Sequence, residues 1–207
     1  MEKRGDKVSL EKNKGGGFGR IRVNLNWNQR PAVEKGGFLS RMVGGNKASA
    51  IDLDLGCLFE LEDGRRGGVQ ALGDSWGSFE QSPYIHLDGD DRSGAVSSGE
   101  NLFINGDMFD KIRRVLIFTF IYDGVPNWAQ TDGVVTVEVP GQPTVEVKLD
   151  GGGNQSMCGI AMLENIAGQL QVTKLIDYIP DQNGHSGHEE LDRRYNFGLR
   201  WRTGSKD

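Results

Sequence analysis

The sequence predicts an all-β protein: a two-sheet β-sandwich of short, mainly antiparallel strands, with one or two short helical turns. Glycine supplies 31 of the 207 residues, about twice its average usage, which favours short strands joined by turns over long helices. Apolar and polar residues alternate with a period of two in several segments, as in strands buried on one face. We count roughly nine to eleven strand-like runs at regular spacing, which is typical of a sandwich.

The alternation is clearest in two segments near the start of the chain. Residues 18–27 place Ile, Val, Leu and Trp on one face and Arg and Asn on the other. Residues 51–61 place Leu, Cys and Phe on one face, and Asp52, Asp54 and Glu60 on the other. Each segment is therefore predicted to be a half-buried strand.

The later elements follow from apolar runs separated by turn residues. The run at 115–122 is the most continuous and predicts a central strand buried on both faces. Further strands are predicted at 69–72, 84–87, 102–104, 134–139, 144–149, 157–166, 170–179 and 195–201, with a helical turn or two at 107–114.

Three segments divide the chain. Residues 1–17 are predicted to be a flexible lead containing a short strand at 8–10, residues 18–203 a single sandwich domain, and residues 204–207 a tail. The lead lacks the apolar core of a signal peptide, and no apolar run reaches the 18 residues of a membrane span. We therefore expect a cytoplasmic protein.

The net charge of the chain argues against nucleic acid as a partner. The formal net charge is −5 and the pI is about 5.3, with no basic stripe to bind phosphates, so nucleic acid is not an expected partner.

Cys57 and Cys158 each lie in an apolar strand-like run and are predicted to be buried core thiols.

The stretch 86–101 carries the main candidate chemistry. It combines Asp88, Asp90, Asp91 and Glu100 with three glycines, and a flexible loop rich in carboxylates suits the six to eight oxygen ligands of Ca²⁺. The spacing is not that of an EF-hand, because Glu100 falls at position 13 when Asp88 is position 1. An ordinary solvated acidic turn is the alternative interpretation.

Three further acids strengthen the calcium interpretation. Asp52 and Asp54 project from one strand face and can share a partner, and Asp123 ends the buried strand. Carboxylates brought close together repel one another unless a cation neutralises them. Their convergence is a prediction for the structure to test.

Histidines and tryptophans offer weaker candidates. His185 and His188 could bind zinc, although a flexible glycine-rich turn is the simpler interpretation. Among the tryptophans, Trp27 and Trp201 alternate with apolar neighbours and are expected in the core. Trp76 and Trp128 fall in predicted loops, where they could contact a sugar or a membrane.

The acidic motifs, taken in order, resemble those of the tellurium-resistance TerD-domain family. The matching motifs are Asp52-Leu53-Asp54, Gly89-Asp90-Asp91-Arg92-Ser93-Gly94, Gly99-Glu100-Asn101 and Ile121-Tyr122-Asp123. The run from Asp123 to Trp128 is most similar to the TerA branch, and the resemblance covers roughly residues 8–201.

That resemblance implies a calcium-binding β-sandwich with a bacterial stress role associated with tellurite. It assigns metal ligation to Asp52, Asp54, Asp90 and Asp123. Asp91 and Ser93 stand where the family usually has Asn and Thr, which keeps the oxygen donors. Glu100-Asn101-Leu102 replaces a more acidic family motif, so one or two calcium ions are expected. The full set of candidate metal ligands is Asp52, Asp54, Asp88, Asp90, Asp91, Ser93, Glu100 and Asp123.

Three functions remain open on sequence grounds. The first is a non-enzymatic, calcium-dependent binding or scaffolding module that acts with other stress-response proteins. The second is a calcium-dependent carbohydrate-binding or membrane-surface module, peripheral at the inner membrane. The third is a hydrolase that uses metal-bound water. The scarcity of histidine and the carboxylate-only cluster favour a protein that is not an enzyme.

Overall fold

The computed structural model describes residues 3–28, 51–89, 99–123, 128–180 and 184–202, and within them it confirms the predicted sandwich. Two six-stranded antiparallel sheets face each other. Sheet A has the order β1-β12-β11-β8-β3-β4, and sheet B the order β10-β9-β2-β7-β6-β5. The strands are β1 (Lys7–Leu10), β2 (Arg20–Asn26), β3 (Asp52–Leu61), β4 (Arg66–Gln70), β5 (Gly77–Ser78), β6 (Ile85–Leu87), β7 (Glu100–Asn105), β8 (Ile112–Asp123), β9 (Val134–Glu138), β10 (Val145–Lys148), β11 (Met157–Ile166) and β12 (Gln169–Ile179).

The main core lies between the sheets, where alternate residues of each strand meet. In sheet A, Leu53, Leu55 and Cys57 supply this inner face of β3, and Cys158 of β11 joins the same core. Both thiols are free and buried, and burial raises their pKa. The prediction of buried core cysteines is confirmed.

A second apolar cluster covers the outer face of sheet A. The helix α1 (Gly187–Tyr195) lies there, and its Leu191 joins Leu58, Leu116 and Phe118. The alternation in β3 predicts that its acidic face is exposed to solvent. That face is instead covered, because both faces of the central strands are buried. Glu60 and Asp54 are buried there.

The predicted closing strand at 195–201 is wrong. Tyr195 ends α1, and Asn196 follows in the left-handed conformation with φ 56°. The next residues run over the outer face, where Phe197 is buried. The Asp192 carboxylate holds this segment by accepting hydrogen bonds from the Gly198 amide at 2.7 Å, the Leu199 amide at 2.9 Å and Trp201 Nε1 at 2.8 Å.

The segment around His185 and His188 is helical rather than a glycine-rich turn. Ser186 caps α1: its hydroxyl accepts from the Glu189 amide, while the Glu189 carboxylate accepts from the Ser186 amide at 2.8 Å. This reciprocal capping box satisfies two amides that a helix start leaves without helical partners. The Ser-x-x-Glu signal is present in the sequence but lies among glycines.

The N-terminal segment contributes to the sheet. β1 pairs with β12, from Lys7 opposite Thr173 to Leu10 opposite Leu170, and Leu10 is buried in the main core. The predicted short strand at 8–10 is therefore present as an edge strand of sheet A. A 3₁₀ turn, Gly106–Lys111, occupies most of the predicted helical turn before β8.

A candidate metal-binding end of the sandwich

The start of β3 and the end of β8 bring two predicted ligands together. Asp52 and Asp123 are Cα partners in the antiparallel pairing. The next pair is Leu53 with Ile121, so Tyr122 is an extra residue in β8. Such a bulge bends the strand and re-aims its side chains. The predicted convergence of Asp52 and Asp123 is therefore observed in the backbone register.

Asp54 lies on the same strand and is only 1% exposed. Its Cα partner is Phe120, which belongs to the outer cluster of sheet A. A buried carboxylate is costly unless charge or hydrogen bonds compensate it. Asp52 is also buried, whereas Asp123 is exposed, so this acidic edge extends from the protein interior to solvent.

Glu100 connects the two sheets at this end. It begins β7 of sheet B, its side chain is buried, and its Oε2 accepts a 2.7 Å hydrogen bond from the Leu55 amide of β3. β4 pairs with β3 only from Gly56 onward, so Glu100 supplies an acceptor just beyond that pairing. One oxygen of this predicted ligand therefore has a structural role.

Asp88 lies beside the start of β7. Its amide donates to the Asn101 carbonyl at 2.8 Å, and its side chain is exposed. Gly89 and Gly99 have φ values of +88° and +60°. A Cβ on Gly99 would collide with the Leu25 carbonyl oxygen, so this position requires glycine.

The structure thus places five predicted ligands, Asp52, Asp54, Asp88, Glu100 and Asp123, at one end of the sandwich. Asp90, Asp91 and Ser93 lie outside the described residues. Carboxylates are the hard oxygen donors that Ca²⁺ prefers, so the donor chemistry fits this ion. Within the described ranges, however, no three His, Cys, Asp or Glu side chains form a group that could hold a metal by themselves.

The zinc alternative at His185 and His188 gains no such support. The His188 ring packs against aromatic rings, with centroid distances of 5.4 Å to Phe118, 4.7 Å to Phe120 and 5.4 Å to Trp201. Burial lowers the pKa of His188 to about 4. His185 instead lies 3.6 Å from the Glu189 carboxylate.

The tryptophans differ from expectation in two cases. Trp27 is buried as predicted, and its Nε1 donates to the Ile51 carbonyl at 3.1 Å. Trp128 is fully buried rather than exposed in a loop, and its Nε1 donates to the Gln155 carbonyl at 2.7 Å. Trp76 is half-buried against the main core, and Trp201 is half-buried in the outer cluster rather than in a strand.

Sequence reasoning missed a group of arginines around Glu60. In the sequence, the only sign of this cluster is Glu60, an acid on the polar face of a predicted strand. The arginines Arg66, Arg113 and Arg114 approach it from β4 and β8, and only the strand register brings them there. This cluster lies at the opposite end of β3 from Asp52.

The fold is similar to those of two solved protein structures. It matches a TerD homologue from Streptomyces coelicolor A3(2) with a TM-score of 0.58 and 16% identity, covering 80% of this chain and 92% of that chain. It also matches the unknown-function protein SAV2460 with a TM-score of 0.60 and 15% identity, covering 89% and 99% of the two chains. At these identities the likeness shows the fold alone.

Comparison of the sequence with known proteins finds a tellurium resistance protein, TerA. The chain is 46% identical over 202 residues to tellurium resistance protein TerA from an Alcaligenes species. The match covers 97% of this chain and 57% of that protein, so the chain spans less than two thirds of its relative's length. No family model matches the sequence. The predicted resemblance to tellurium-resistance proteins of the TerD and TerA type is confirmed.

In the parts of the chain that the structure describes, no helix is long and apolar enough to cross a membrane.

Proposed function

We propose that this protein is a calcium-binding, non-enzymatic module that provides a binding or scaffolding surface for other proteins of a cytoplasmic stress response. The observation that carries the proposal is the gathering of Asp52, Asp54, Glu100 and Asp123 from three strands at one end of the sandwich. The likeness to a tellurium-resistance protein supports the stress role.

The residues divide into two tasks. Asp52, Asp54 and Asp123 would hold one or two Ca²⁺ ions, together with the oxygens of Asp90, Asp91 and Ser93 that the sequence supplies. Glu100 braces β3 against β7 through the Leu55 amide. A bound divalent cation would neutralise carboxylates that otherwise repel one another, and it would hold this end in one arrangement for a partner.

The direct test is calcium titration of chelator-treated protein by calorimetry, with a melting curve recorded at each calcium concentration. Calcium at one hundred times its dissociation constant should stabilise the fold by about 2.7 kcal/mol. Absence of both heat and a melting shift would contradict calcium binding. The calorimetric stoichiometry would decide between one ion and two.

Variants localise the site. Asp123→Asn removes an exposed carboxylate and is expected to weaken calcium binding without harming the fold, and Asp54→Asn tests the buried member. The matched control is Asp110→Asn, an exposed acid in the 3₁₀ turn at the opposite end. Equal calcium affinity in all three variants would contradict a calcium site at this end of the sandwich.

The scaffolding role needs its own measurement. The calcium-loaded protein, immobilised and exposed to extract of its host cells, should retain proteins that a chelator releases. Asp123→Asn should retain less of them than Asp110→Asn. Retention that is the same in calcium and in chelator would contradict a calcium-dependent surface.

A calcium-dependent membrane-surface module is the second candidate, supported by Tyr122. This aromatic side chain is 44% exposed and lies next to Asp123 at the bulge, whereas Trp128 is buried. Sedimentation with anionic vesicles, with and without calcium, tests this function. Calcium-dependent pelleting that Tyr122→Ala reduces would favour the membrane, and no pelleting would reject it.

A further inference from the structure

A buried carboxylate surrounded by arginines lies at the other end of β3. Glu60 Oε1 accepts from Arg66 Nη2 at 3.0 Å and from Arg113 Nη1 at 3.3 Å, and its Oε2 accepts from Arg114 Nε at 2.7 Å. Burial by itself would raise the pKa of Glu60, but hydrogen bonds and charge from Arg114 and Arg66 lower it below its ordinary value. The carboxylate is therefore ionised at neutral pH.

A second bulge in β8 creates this arrangement. Glu60 pairs with Arg114 and Leu61 pairs with Ile112, so Arg113 is an extra residue in β8. In a regular strand, neighbouring side chains point to opposite faces. Here the bulge lets both Arg113 and Arg114 reach the same carboxylate.

The arginines differ in the contacts that they make with the rest of the fold. Arg114 also donates to the Tyr195 and Asn196 carbonyls, each at 2.9 Å, and its guanidinium lies 4.1 Å from the centre of the Phe197 ring. It therefore fastens the end of α1 to the sheet. Arg113 donates the 3.3 Å hydrogen bond to Glu60, and its side chain is 62% exposed.

These groups line an open cavity of about 500 Å³. Its charged residues are three arginines and the acids Glu60 and Glu164, so the lining carries a net positive charge. Arg66 Nη1 also donates to the Phe197 carbonyl at 3.0 Å. A guanidinium has five N–H donors, so Arg113 and Arg66 each retain donors beyond those that these contacts use. Ile166, 48% exposed, lies on the same wall.

We propose that this cavity binds an organic oxyanion, a phosphate monoester or a carboxylate that carries an apolar group. Arg113 and Arg66 would bind its oxygens, since guanidinium groups match phosphate and carboxylate geometry. Ile166 would contact its apolar part. Because Glu60 is eight residues from Asp52 along β3, the two ends are roughly 26 Å apart at about 3.3 Å per residue, and this site is distinct from the proposed calcium site.

The test measures binding of phenyl phosphate, benzoate and inorganic phosphate to the full chain by calorimetry. Saturable binding of phenyl phosphate or benzoate is expected, and comparison of these two probes identifies the preferred oxyanion. Arg113→Gln should weaken it by about tenfold or more, the loss of one charge-assisted contact. Arg65→Gln is the matched control, because this nearby exposed arginine pairs with Asp63 outside the cavity.

Two further comparisons separate a specific site from general charge attraction. Ile166→Ser should weaken binding of phenyl phosphate or benzoate and leave inorganic phosphate unchanged. Affinity should be the same in calcium and in chelator, so failure of the calcium proposal would leave this result intact. No saturable binding up to about 10 mM, or equal losses in Arg113→Gln and Arg65→Gln, would overturn the proposal.

Discussion

His188 is expected to make the stability of this protein fall between pH 7 and pH 5. Its ring lies among the rings of Phe118, Phe120 and Trp201 on the outer face of sheet A. Burial is the cause that lowers its pKa from 6.5 to about 4. Protonation in the folded state would place a charge among aromatic and apolar groups.

The sign follows from proton binding in the two states. Between pH 6.5 and pH 4 the unfolded chain binds a proton at His188 that the folded chain excludes, so the free energy of unfolding falls as the pH falls. From the two pKa values, the loss is about 2 kcal/mol at pH 5 and about 3 kcal/mol at pH 4. The contribution becomes constant only about one pH unit above 6.5, where the histidine is neutral in both states.

The assay is urea denaturation at a series of pH values for the wild type, His188→Phe and His185→Gln. His188→Phe keeps a ring in the cluster and removes the titration, so its free energy of unfolding should fall less steeply between pH 7 and pH 5. His185→Gln replaces a half-exposed histidine that lies just before this helix, and it serves as the control. Parallel curves for the wild type and His188→Phe would refute the reasoning, whatever the absolute stabilities.

Three other substitutions test single contacts, each by urea denaturation with the wild type as reference. Trp128→Ala should cost about 3–5 kcal/mol, because the side chain is fully buried and fills the core; a loss below about 1 kcal/mol would show that this site collapses easily. Glu100→Ala should cost about 1.5–3 kcal/mol by leaving the Leu55 amide without its acceptor, whereas Glu100→Gln should retain most of that stability. Asp192→Ala removes the acceptor of three hydrogen bonds and should cost about 2–4 kcal/mol; an unchanged free energy of unfolding would contradict its anchoring role.

Strands with strong alternation could be predicted from the sequence. The segment 18–27 contains β2, and the segment 51–61 contains β3, because one face of each strand meets the opposite sheet. The pair β11 and β12 was also predictable, since two apolar runs flank Ala167 and Gly168. In the structure both of these residues take positive φ in the turn between the strands. The local pattern predicted β3 correctly as a strand, although both of its faces are buried.

The same rule failed where a third layer covers sheet A. Alternation at 195–201 predicts a strand, but Phe197, Leu199 and Trp201 pack on the outer face without joining a sheet. Trp128 follows a glycine- and proline-containing segment, yet its ring fills the core. Neither outcome is encoded in local period, because both depend on elements that are distant in the sequence.

The candidate metal site was predictable only as a set of residue types. The sequence identifies Asp52 and Asp123 as acids at strand ends, and their proximity depends on the β3–β8 register. Glu100 was predicted as a ligand, but its contact with the Leu55 amide shows that a buried acid can also satisfy a backbone donor.

Both candidate sites depend on irregularities in one strand. β8 carries an extra residue opposite each end of β3: Tyr122 beside Asp52 and Asp123, and Arg113 beside Glu60. Between these bulges the register of β3 and β8 is regular from Leu53 to Glu60, which holds the two ends at a fixed separation. An all-antiparallel sheet without bulges would direct the side chains of neighbouring residues to opposite faces. The bulges instead bring Asp123 beside Asp52 at one end and gather arginines around Glu60 at the other, so a single strand pair positions the residues of both candidate sites.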